Sequence, residues 1–142
     1  MNLINTDLGT MHNSSGVLKY TNTDGHRLVL ECDKDLAAYY RTFIPKSFGA
    51  IAPRWPPHIT IVRAGKEIPD LAHWGKYEGQ EIPFKYGNII CWDSIYFWLR
   101  CFCVQLEGIR TELGLPVESV YTRPPDGHKK IFHMTIANLK IS

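Results

Sequence analysis

Two short stretches carry the residues best suited to chemistry: Pro57-His58-Ile59-Thr60-Ile61-Val62 and Phe132-His133-Met134-Thr135-Ile136-Ala137. Each runs His, apolar, Thr, apolar. A period of two belongs to a β-strand, so His58 and Thr60 share one face, as do His133 and Thr135. A single copy reads most simply as an edge-strand or core histidine with a satisfied hydrogen bond. With six His and nine Thr in 142 residues, composition predicts only about 0.07 such patterns by chance. Two copies therefore read as a pair of strands that hold a polar site between them.

Phosphodiester cleavage suits such a pair. A base must take a proton from the attacking hydroxyl, an acid must protonate the departing oxygen, and donors must stabilise the charge that builds on phosphorus. Imidazole, with an unperturbed pKa of about 6.5, serves as acid or base near neutrality. The threonine hydroxyls lie two residues on and can reach nonbridging phosphate oxygens. The sequence has no Asp/Glu cluster suited to a two-metal site and no zinc spacing. No metal or other cofactor is expected. Which histidine is acid and which is base stays open.

Neighbouring residues supply candidate helpers. Arg63 lies five residues past His58; strict alternation points it to the opposite face, so surface pairing and a site role weigh evenly. Arg54, Lys129 and Lys130 lie in loops leading into the motif strands and are candidates for phosphate contact, although exposed cations are commonly only solvated. Trp55, Trp92, Tyr121 and Phe132 could stack bases. Trp55 comes first among them because it sits in the loop entering the site. His12, His26 and His73 read as surface or turn residues, with His128 a lesser candidate.

Composition narrows the substrate. Sixteen basic against fourteen acidic residues give a net charge of +2, too balanced for a protein that grips long nucleic acid. A small anionic ligand held by local charges fits better. At 142 residues and 44% hydrophobic, the chain suits one domain. The first residues lack the basic and apolar regions of a signal peptide, so Cys32, Cys91, Cys101 and Cys103 are expected as free thiols and the protein is expected in the cytoplasm. The apolar run Ile89 to Val104 contains Asp93 and Arg100 and is too short to span a bilayer.

Residues 1–15 are polar and expected to fray, leaving 16–142 as a single domain. Gly16 to Thr21 and His26 to Asp33 read as strands around an Asp24-Gly25 turn. Asp33 caps a helix from Lys34 to about Phe43. After the first motif strand, Asp70 to Tyr77 reads as a short helix and Gln80 to Tyr86 as a strand, with Pro83 implying an edge or a bulge. Ile89 to Trp92 and Ser94 to Cys103 read as strands, Val104 to Leu113 as a helix, and Glu118 to Thr122 as extended chain. These elements make an α+β chain. Strand–helix–strand segments recur in both halves, so a duplication with two lobes around a cleft is expected.

The paired motifs resemble those of the two-histidine (LigT-like) phosphoesterase superfamily. Within it the chain is most similar to the phage anti-CBASS nucleases, which degrade cyclic oligonucleotide immune signals. Further matching stretches are Ala38-Tyr39-Tyr40-Arg41, Trp74-Gly75-Lys76-Tyr77-Glu78-Gly79, Tyr96-Phe97-Trp98-Leu99 and Glu112-Leu113-Gly114-Leu115. The resemblance implies a bilobal α+β fold, with antiparallel sheets and flanking helices around a central cleft. It implies metal-independent hydrolysis of cyclic di- and trinucleotides to linear products in a host cytoplasm, which would counteract CBASS defence. His58 and His133 would be the acid/base pair, Thr60 and Thr135 the phosphate ligands. Tyr20 resembles a substrate-binding tyrosine of the family. Relatives continue past the second motif with acidic and aromatic residues. Here seven residues follow Thr135, so base contacts are expected from Trp55, Trp74 or Trp92, with Arg54 and Lys129 on phosphate. The alternatives are an RNA-end or 2′,5′-oligonucleotide phosphodiesterase and a non-catalytic nucleotide sponge. The oligomeric state is left open.

Overall fold

Apolar and polar residues alternate through most of the chain, and the backbone follows with strands. The computed structural model describes residues 9–123 and 132–139. Its strands are β1 (Met11–Thr21), β2 (Arg27–Cys32), β3 (Ala50–Ile51), β4 (His58–Val62), β5 (Glu81–Gly87), β6 (Cys91–Trp92), β7 (Tyr96–Phe102) and β8 (Phe132–Leu139). The helices are α1 (Lys34–Arg41) and α2 (Val104–Glu112). In space the strands run β3-β8-β4-β2-β1-β5-β7-β6, and β7 also pairs with β8. That last pairing, from Tyr96↔Asn138 to Cys101↔Phe132, joins the two ends. β8, β4, β2, β1, β5 and β7 thus close into a six-stranded antiparallel barrel.

The expected bilobal α+β architecture with flanking helices is therefore corrected: the molecule is mostly sheet, closed on itself. Helices of eight and nine residues make fewer than three turns each and cannot layer a whole sheet. Nor are there two cores among the described residues. Leu18, Leu28, Ile59, Ile82, Leu99 and Met134, from all six barrel strands, bury in one cluster, which Ala37, Tyr40, Leu106 and Ile109 of the helices complete. The two strand–helix–strand segments exist, but periodicity does not reveal which strand edges will meet.

Several local signals act where the sequence places them. Asp33 caps α1, its carboxylate accepting from the Asp35 amide at 2.8 Å. Gly25 turns the β1–β2 connection at φ 114°, where a Cβ is strained. Pro83 sits where β5 faces β1 but β7 no longer pairs with it, so its missing N–H costs no ladder bond there. The four cysteines are free thiols, and burial pushes the Cys32 thiol up to about 12.

Other expectations are corrected. Met11–Ser15 belong to β1 and pair with β5 rather than fraying; residues 1–8 lie outside the described residues. Asp70 to Tyr77 holds only a single 3-10 turn, Leu71–His73. Glu118 to Thr122 is a turn, because the Ser119 carbonyl accepts from both Thr122 and Arg123. Among the described residues no helix is long and apolar enough to cross a membrane.

Candidate active site

β4 and β8 are neighbours in the barrel, with Ile59 paired to Met134. Continuing that antiparallel register one residue each way sets His58 level with Thr135 and Thr60 level with His133. The paired apolar residues are buried, and the four polar ones are half-buried on the other face. All four line one cavity of about 730 Å³, inside the range of roughly 300–1,000 Å³ usual for small-ligand sites.

Each imidazole is held in the same way. Nδ1 of His58 lies 2.8 Å from the Pro56 carbonyl, and Nδ1 of His133 lies 3.1 Å from the Thr122 carbonyl. A carbonyl only accepts, so Nδ1 carries the proton in both rings and Nε2 is the basic nitrogen of the neutral form. Two loops of unrelated sequence thus select the same tautomer. The Pro56-Pro57 step extends the first loop, and the Ser119 turn shapes the second.

Both motif strands also carry a bulge at the same motif position. Leu28 pairs with Val62 and Val29 with Thr60, which leaves Ile61 as the extra residue of β4. Phe97 pairs with Ala137 and Trp98 with Thr135, which leaves Ile136 as the extra residue of β8. A bulge reverses the phase of alternation. Two consecutive residues are buried in each strand, Ile61-Val62 and Ile136-Ala137, and Arg63 and Asn138 then turn back into the cavity. Strict alternation had sent Arg63 to the opposite face; the bulge corrects it.

A bulged residue leaves the ladder, so its carbonyl needs another donor. Arg110 of α2 donates Nη1–H to the Ile61 carbonyl at 2.6 Å. Arg41 of α1 donates Nη1–H to the Ile136 carbonyl at 2.6 Å. Each helix follows a strand and brings an arginine from its last turn to a motif bulge. The internal repetition of the sequence thus extends to strands, bulges and clamps.

Arg110 is fully buried and also forks onto Glu67, at 2.8 and 3.1 Å. Burial alone would raise the Glu67 carboxyl. Hydrogen bonds from Arg110 and from the Arg63 main chain outweigh it and hold the group below its ordinary value. A depressed carboxyl stabilises the fold above its unfolded value and loses that contribution as pH falls through the folded one. The melting temperature should therefore decline as pH drops below 4.5. In a Glu67→Gln protein, already less stable, that decline should be shallower. Melts across acid pH, with equal slopes for the two proteins, would contradict this.

The cavity gathers some expected site residues and leaves out others. Arg54, Trp55 and Tyr121 line it. The Arg54 guanidinium lies 5.6 Å from the Trp55 ring centre, and Trp55 is 64% exposed, so its ring can accept a base. Tyr20 and Trp74 do not line it: they pack edge-to-face, ring centres 4.9 Å apart, and Tyr20 faces the core. Trp92 packs on Phe48, and Phe132 is buried. Lys129, Lys130 and His128 lie outside the described residues. Lys66, Tyr96, Arg123 and Asn138 line the cavity and were missed. One signal was available: Arg63 and Asn138 stand at the same offset from their histidines.

Charge separates this cavity from its neighbours. Among the described residues its lining carries Arg54, Arg63, Lys66 and Arg123 and no carboxylate. An adjoining cleft of about 270 Å³, sharing Trp55, Pro56 and His58, sets Lys19 and Arg27 against Asp24 and Glu31. A third cavity, of about 490 Å³, is lined by Tyr39, Tyr40 and Phe43 with His12 and has no charged side chain among the described residues. Of these three, the first unites two imidazoles, two hydroxyls and a cation excess among the described residues. No family model, curated protein or solved structure matches the chain.

Proposed function

We propose that the protein is a metal-independent phosphodiesterase of the two-histidine type, acting on cyclic di- and trinucleotides. One observation carries the reading: His58, Thr135, Thr60 and His133 alternate across β4 and β8, with both imidazoles fixed in one tautomer. The phosphodiester lies over the quartet. Nε2 of one histidine takes a proton from water, whose oxygen attacks phosphorus. As the bond to the leaving ribose oxygen breaks, Nε2 of the other histidine, protonated beforehand, gives that oxygen its proton. The threonine hydroxyls and cavity cations stabilise the charge on the nonbridging oxygens. If a neighbouring ribose hydroxyl attacks instead, the same two transfers give a cyclic phosphate.

Size and charge support a compact substrate. Among the described residues the cavity carries a cation excess, and the adjoining cleft has balanced charge. Among the described residues the adjoining cleft adds no net positive charge along which a long strand would release counterions. The resemblance to anti-CBASS nucleases extends the reading to cyclic immune signals, whose linear products would no longer serve as signals.

The test is a substrate panel: cyclic di- and trinucleotides, linear 2′,5′-oligoadenylate and 2′,3′-cyclic mononucleotides, with products read by chromatography. Linear products from the cyclic substrates are expected. Turnover confined to the other two classes would transfer the same chemistry to RNA ends or 2′,5′ linkages. Tight retention of intact cyclic nucleotides without turnover would leave a sponge.

A further inference from the structure

We infer that the His133 end of the cavity is a second-phosphate site, built by Arg63, Lys66 and Arg123, which selects substrates bearing another phosphate beside the one cleaved. This deepens the proposed function and rests on the cavity being a phosphodiester site.

The antiparallel strands give the cavity two ends. The His58 end contains Thr135, Asn138 and Tyr96, because Asn138 pairs with Tyr96; Arg54 and Trp55 precede the carbonyl that holds His58. The His133 end contains Thr60 and the residues that follow β4. Arg63 is turned inward by the bulge, and Lys66 sits in the next turn, its amide bonded to the Arg63 carbonyl at 3.2 Å. Arg123 follows Thr122, whose carbonyl holds His133. Among the described residues, three cations thus lie at one end and one at the other, where Arg54 is already over the Trp55 ring.

Like charges drawn together repel unless an anion joins them. Among the described residues no carboxylate pairs with the side chain of Arg63, Lys66 or Arg123. The scissile phosphodiester carries a single negative charge, and the histidine–threonine quartet already serves it. The surplus at the His133 end matches a second phosphate, which a guanidinium recognises well through paired N–H donors. Cyclic dinucleotides and terminally phosphorylated dinucleotides carry that group; a dinucleoside monophosphate does not.

The probes are ApA, its 5′-phosphorylated form pApA and its 3′-phosphorylated form ApAp. Binding is measured by calorimetry at fixed ionic strength, on a His58→Ala background that suppresses turnover. One phosphorylated isomer should bind at least about tenfold tighter than ApA. Adding Lys66→Gln and Arg123→Gln should bring that ratio to within about twofold, while adding Arg54→Gln should leave most of it. Melting temperatures check that each protein is folded; Lys66 is exposed and Arg123 half-buried. Both isomers binding like ApA, or a preference that survives the double change, would overturn the inference. A lost preference in the double variant, with no turnover of any substrate by the unmodified protein, would uphold the site and sink the hydrolase reading instead.

Discussion

Replacing either His58 or His133 with alanine is expected to lower kcat by about 10²–10⁴-fold, the usual worth of a positioned acid or base. The two losses should not add: once one proton transfer is gone, removing the other costs much less, because the pair acts as a unit. Folding should survive. Each ring is half-buried and bound to main chain through Nδ1, a bond contributing about 1 kcal/mol. Steady-state rates beside thermal melts separate the two effects. A variant that keeps full kcat would remove that histidine from the chemistry. Losses that add in the double variant would mean two independent contributions rather than one acid–base pair.

The largest effect on stability is expected at Arg110. Arg110→Met strands the buried Glu67 carboxylate, and the Ile61 carbonyl loses its donor. Removing one partner of a buried pair costs about 3–5 kcal/mol, a fall in Tm of roughly 10–20 °C for a domain of this size. The double variant Arg110→Met/Glu67→Met replaces the pair with apolar side chains and should regain much of that stability. It should not regain kcat, because the Ile61 carbonyl still lacks its donor and the bulge that turns Arg63 into the cavity is unsupported. Parallel recovery of Tm and kcat would show Arg110 to be structural only. Recovery of Tm alone identifies it as a positioning residue.

The motif pair could be read from the sequence because it is written in the shortest period a strand has. His58 with Thr60, and His133 with Thr135, needed only alternation to be placed on one face each. The bulges were not legible. Nothing in Ile61 or Ile136 as residue types announces an extra position in the ladder, and one extra residue reverses every later side chain. For that reason strict alternation points Arg63 away from the cavity and leaves its site role only one of two even readings, and it gives Asn138 none. The resemblance points to Tyr20, and the departure from the family pattern after Thr135 points to Trp74; the barrel packs them against each other instead. The closed architecture escaped because it depends on β7 meeting β8, a long-range pairing that local pattern does not specify. Arg41 and Arg110 escaped likewise, since an arginine in a helix's last turn reads first as a charge suited to the helix dipole. Their common destination, the carbonyl of a motif bulge, exists only in three dimensions.

The proposed function depends on two histidines cleaving a phosphodiester without a metal. The most direct measurement is to dialyse the protein against excess chelator, add a cyclic dinucleotide and follow the linear product by chromatography. Product is expected at the same rate as in undialysed protein. Activity that disappears on chelation and returns with a divalent cation, or a cyclic dinucleotide that stays intact throughout, would contradict it.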